Sequence, residues 1–95
     1  MTDENTKPVL EIDDDTTTHT DEPARAILFN DEIHTFDEVI AQIKKATGCG
    51  QAKAETLTWE VHSKGKACVW EGTMERCIKV VIILEEIQLH TQIEM

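Results

Sequence analysis

The chain has 95 residues and a formal net charge of −10, of which −7 falls on Met1 to Glu22, where eight acidic residues stand against a single Lys. About 70 residues remain to build a core, so one small domain is expected, and a deep catalytic cavity that excludes water is hard to support at that size. A polyanion with no basic stripe repels nucleic acid and anionic lipid, so neither is an expected partner.

Cys49, Cys68 and Cys77 are odd in number. There is no secretory leader pattern at the amino terminus and no apolar stretch of bilayer-spanning length. The expectation is a soluble, cytoplasmic protein whose thiols are small, half-buried apolar residues in a reducing compartment.

Residues 1–22 mix Asp, Glu and Thr with few apolar side chains, so burial cannot offset the entropy of ordering them. They are expected to form a disordered acidic extension to a domain over residues 23–95. Ala24 to Phe29 is short, apolar and bounded by polar residues, which suits a first strand ending at Asn30-Asp31. Thr35 precedes Glu38 by capping-box spacing, with Asp37 and Glu38 in a first turn that favours acids. Phe36, Val39, Ile40 and Ile43 follow at helical spacing, which predicts a helix from Phe36 to about Ala46.

Gly48-Cys49-Gly50 breaks the pattern before a second helix that places Ala54, Leu57, Thr58, Val61 and His62 on one face and stops at Gly65. Ala67 to Trp70 reads as a second strand, and Gly72-Thr73 as a turn into the cap of a third helix. Val80 to Leu84 is β-branched enough to suit a strand or a helix. The preceding cap, Glu75 in the first turn and room for a strand at Gln88 to Glu94 favour the helix. The predicted architecture is α/β (α+β): a small βααβαβ domain with a three-stranded antiparallel sheet and three helices on one face.

Two short runs carry the functional signal: Asn30-Asp31 after the first strand, and Val61-His62 shortly before Gly65-Lys66-Ala67. In this order and separation they resemble the Clp protease adaptor ClpS family of the N-degron (N-end rule) pathway, over about Ala24 to Glu94. Thr58, Trp59 and the Val69-Trp70 strand look similar to its cyanobacterial and plastid branch. The resemblance implies the fold derived above and, with it, the work of an adaptor, which holds proteins whose first residue is bulky and apolar (Phe, Tyr, Trp or Leu) and delivers them to a Clp AAA+ unfoldase of the ClpA or ClpC type. It also implies residue roles. Asn30, Asp31 and His62 would bind the α-amino group, and Phe36, Val39, Thr58, Val61 and Leu89 would form a side-chain pocket with His34 at its rim. Glu75 and Lys79 would contact the unfoldase.

The residue types suit such recognition. A free α-amino group has a reference pKa of about 7.7–8.0 and is largely an ammonium with three donors at neutral pH. Asp31 can supply an anionic acceptor, Asn30 a neutral carbonyl, and neutral His62 a ring nitrogen, directly or through water. An internal residue offers only an amide there and leaves the acceptors unpaired. Phe36 and Thr58 stand where many members of the family carry Met, His34 where a small hydroxyl residue is common, and Ile33 where an aromatic is frequent. Met adapts and Phe is rigid, so the pocket outline differs.

Read without the resemblance, Asn30-Asp31 is turn chemistry at a strand end, His62 a packing histidine, and Phe36 with Val39 core. A structural interaction domain of the same fold, like the carboxyl-terminal domain of the ribosomal stalk protein, is the alternative; it would not read amino termini. No pair among His19, His34, His62, His90 and the cysteines has zinc-ligand spacing, and no nucleophile motif is present, so no metal, cofactor or enzymatic activity is expected.

Overall fold

The computed structural model describes residues 22–95, and the extension expected over residues 1–22 lies outside them except for Glu22. The elements are β1 (Pro23–Phe29), α1 (Phe36–Thr47), α2 (Gln51–Lys64), β2 (Lys66–Thr73), α3 (Met74–Leu84), a 3-10 turn (Glu85–Ile87) and β3 (Thr91–Glu94). This is the βααβαβ order that periodicity predicts. The sheet runs β2-β1-β3, with β1 central and antiparallel to both neighbours.

Strand alternation fixes which side of the sheet is covered. Ala24, Ala26 and Leu28 of β1 share one buried cluster with Ile43 of α1, Ala54, Leu57 and Val61 of α2, and Cys77, Val80 and Leu84 of α3. All three helices therefore stack on that face. On the opposite face the register partners Arg25 and Glu94 form an ion pair of 2.7 Å between partly exposed side chains. The β-branched run Val80 to Leu84 is helical because its polar-flanked face is outermost: Val80 and Leu84 are buried while Ile82 is 58% exposed.

The helix ends follow their sequence signals. Thr35 and Glu38 form the capping box, with Thr35 N–H donating to Glu38 Oε1 (2.8 Å) and Glu38 N–H to Thr35 Oγ1 (3.1 Å). Gly65 takes a left-handed φ of 89° after α2, a conformation open to glycine, and its N–H reaches the Val61 carbonyl at 2.9 Å.

Two predicted boundaries are corrected. β2 does not turn at Gly72-Thr73 but continues through both, pairing Ala24 with Gly72 and Pro23 with Thr73. Within the strand this position is a glycine where the Trp70 ring lies across it: a Cβ there would stand 2.3 Å from Trp70 Cη2. At the other end, the last strand begins at Thr91, not Gln88. Gln88 closes the 3-10 turn in the left-handed region (φ 67°) with its N–H on the Glu85 carbonyl, so Leu89 enters the core from a loop.

Candidate functional site

The loop between β1 and α1, the last turns of α1's partner helix α2, and the segment after the 3-10 turn converge on one cavity of about 470 Å³. The pinning contacts are backbone bonds. Asn30 N–H donates to the Gly65 carbonyl and Phe29 N–H to the His90 carbonyl, both at 2.9 Å. The first brings the loop beside the end of α2; the second brings Leu89 beside the end of β1.

Every residue that the sequence assigns to amino-terminus binding or to the side-chain pocket lines this cavity: Asn30, Asp31 and His62, and His34, Phe36, Val39, Thr58, Val61 and Leu89. Its wall is apolar. Val61 and Leu89 are buried, and the Thr58 hydroxyl donates to the Ala54 carbonyl at 2.7 Å, so that hydroxyl is spent within its own helix. Phe36 stands edge-on to the His62 ring (centroids 5.3 Å) and to Trp59 (4.7 Å), an aromatic cluster in which Trp59 is 60% exposed.

The polar groups differ in how free they are. His62 is exposed, and among the described residues no hydrogen bond engages the side chain of Asn30 or of His62. Asp31 is anchored in its own loop. Its Oδ1 accepts from Ile33 N–H and His34 N–H, both at 2.9 Å, and its Oδ2 meets His34 Nδ1 at 2.7 Å. Burial pushes the Asp31 carboxyl up, but the bonds from His34 and Ile33 outweigh it and hold the group below its ordinary range. The carboxylate is thus fixed in place and ionised in a residue that lines the cavity.

The sequence reading misses part of the lining and the burial of His34. Leu28, Phe29, Glu32 and Thr35 also line the cavity, Glu32 as a second, exposed carboxylate. The polar run that contains Glu32 is the signal that marks it; Phe29 looks like ordinary strand core. His34 is no open rim residue either, since only 11% of its side chain is exposed. Glu75 and Lys79 lie apart from the cavity on the exposed side of α3, 4.0 Å from each other. Among the described residues no cluster of His, Cys, Asp and Glu has the arrangement of a metal site.

With that geometry in hand, comparison with known proteins is specific. The family described as "ATP-dependent Clp protease adaptor protein ClpS" matches residues 19–92. The chain belongs to this family. Among solved structures, Agrobacterium tumefaciens ClpS2 bound to L-phenylalaninamide matches with a TM-score of 0.72 over 78% of this chain and 96% of that one. At 14% identity the likeness to ClpS2 is one of fold. The curated relatives are of another kind: E3 ubiquitin-protein ligase UBR1 of Drosophila melanogaster is 36% identical over 59 residues, 62% of this chain, and human UBR1 is 32% identical over 66 residues, 70% of it. The chain spans only 3% and 4% of the length of these two ligases.

Proposed function

We propose that the cavity captures the free amino terminus of a protein whose first side chain is bulky and apolar, and that the domain thereby selects that protein for proteolysis. The observation that carries this reading is that one cavity is lined by a fixed carboxylate (Asp31), an unengaged amide (Asn30) and an exposed imidazole (His62) together with the apolar side chains of Val39, Val61 and Leu89. An α-ammonium needs several acceptors, one of them anionic, and its own side chain then falls into the apolar part. The ligand of the ClpS2 structure, L-phenylalaninamide, has that chemistry: a free amino group beside an aromatic side chain.

Delivery is to a Clp AAA+ unfoldase, with Glu75 and Lys79 as its contact and residues 1–22 engaged by the machine, in the cytoplasm. A second reading of the delivery step has its own support. The identity to UBR1 fits the same recognition domain serving a ubiquitin ligase, whose ligase chemistry would lie elsewhere.

The test is a titration with fluorescent peptides beginning in Phe, Leu, Trp or Val, beside the same peptides acetylated at the amino terminus. Capture of a free bulky terminus that disappears on acetylation is expected. Equal binding of both forms would refute amino-terminus recognition and favour an interaction domain. Removal of residues 1–22 should leave peptide affinity intact and abolish degradation by a Clp protease; intact degradation would refute that division of labour.

A further inference from the structure

His34 bridges two walls of the cavity by hydrogen bonds from both of its ring nitrogens. Its Nδ1 lies 2.7 Å from Asp31 Oδ2, in the loop that holds the amino-terminus acceptors. Its Nε2 is hydrogen-bonded to the main-chain carbonyl of Ile87, at the end of the 3-10 turn and two residues before Leu89. Both partners are pure acceptors. A neutral imidazole has one N–H and one lone pair, so it satisfies one of them and opposes the other; the two bonds coexist only when both ring nitrogens carry protons.

We infer that His34, protonated on both nitrogens, is a strap that holds the amino-terminus-binding loop against the Leu89 wall, so that peptide capture is strongest while the ring is an imidazolium and weakens when it loses a proton. The inference rests on the reading of the cavity proposed above and adds its regulation. On loss of the proton, a lone pair faces either the Asp31 carboxylate or the Ile87 carbonyl. One contact then opens, and the loop or the turn is released from the other.

The charged neighbours act in the same direction. The bond to Asp31 favours the charged ring most, burial opposes it, and the Ile87 carbonyl and the nearby Glu38 carboxylate of α1 add to the first effect, leaving the ring more basic than ordinary histidine. The acids of the 3-10 turn are otherwise engaged: Glu85 with the Thr91 hydroxyl, Glu86 with Lys45 and the Gln42 amide. Glu32 lies beside Asp31 at the mouth, and His62 is the one other titratable cation precursor lining the cavity among the described residues.

Because the peptide amine also changes its charge with pH, the informative quantity is the ratio of Kd for His34→Phe to that of the wild type, from which contributions common to both proteins cancel. Fluorescence anisotropy with a Phe-initiated peptide should give a ratio of about ten below the His34 midpoint and near one above it. The midpoint itself comes from ¹⁵N imidazole shifts of the free wild-type protein between about pH 5.5 and 10, a range bracketing ordinary histidine. The backbone amides of Ile33 and Leu89 should titrate with it. A constant ratio overturns the strap, as does a ring with one proton at the lowest pH or two at the highest. If neither protein binds peptide at any pH, the amino-terminus reading fails, and the shared midpoint of ring and amides alone decides the strap: its presence retains it and its absence removes it.

Discussion

Asp31→Asn separates the charge of the binding loop from its shape. Asparagine is isosteric, so its Oδ1 can keep the two 2.9 Å bonds from Ile33 and His34 N–H, while its Nδ2 replaces the oxygen 2.7 Å from His34 Nδ1. The ring then accepts at Nδ1 and donates from Nε2 to Ile87, and the loop survives in neutral form. What is lost is the charge facing the ligand's ammonium. Two unit charges about 4 Å apart interact by roughly 4 kcal/mol at an effective dielectric of about 20 and about 1 kcal/mol in water. With its side chain 22% exposed, Asp31 sits between these limits, and the simultaneous loss of the His34 charge offsets part of the change. A weakening of about 1.5–3 kcal/mol follows, roughly tenfold to a hundredfold in Kd. The assay is anisotropy with a free Phe-initiated peptide and its acetylated twin, with thermal unfolding to confirm that the variant is folded. Unchanged affinity in a folded Asp31→Asn protein would refute the assignment of Asp31 as the anionic acceptor.

Phe36→Ala removes the ring that meets His62 and Trp59 edge-on and enlarges the cavity; capture of a Phe terminus should weaken by about 1 kcal/mol, roughly fivefold, with less discrimination among first residues, as a peptide array would show. Gly72→Val places side-chain atoms where the Trp70 ring lies, so the variant should lose about 1–3 kcal/mol, several degrees in Tm by calorimetry, and Trp70 fluorescence should shift. The Asp31–His34 pair sets a pH window for stability. The Asp31 contribution is present above its ordinary value of 3.8 and is lost as pH falls through its lowered folded value. The His34 contribution is present below its ordinary value of 6.5 and is lost as pH rises through its raised folded value. Tm should therefore be highest between those two ordinary values and decline on the alkaline side, a decline that His34→Phe should abolish.

The elements were legible where a local rule dictates them. The capping box at Thr35 and Glu38, the glycine stop at Gly65 and the 3.6-residue spacing of Phe36, Val39, Ile40 and Ile43 each rest on contacts within one turn of chain. The two boundaries misjudged depend on distant partners. Gly72 reads as a turn until β1 is seen to pair with it, and Gln88 reads as strand until Leu89 is seen to need a loop to reach the core. Kinship was legible as well: Asn30-Asp31 and Val61-His62, in their order and separation, pointed to the adaptor family, whose model matches residues 19–92.

By itself the sequence determined the order of elements and the anionic character of the chain, because periodicity, capping and charge are properties of neighbouring residues. The tertiary structure decided which residues meet at the cavity. Asn30 and His62 are brought together by one backbone bond from the loop to the end of α2. Asp31 is held by its own loop, and His34, a rim residue from its position in the chain, joins that loop to a carbonyl 53 residues away. A hydrogen bond across that distance leaves no local pattern, since the main-chain acceptor at Ile87 is chemically the same at every residue and becomes a partner only when the fold carries it there.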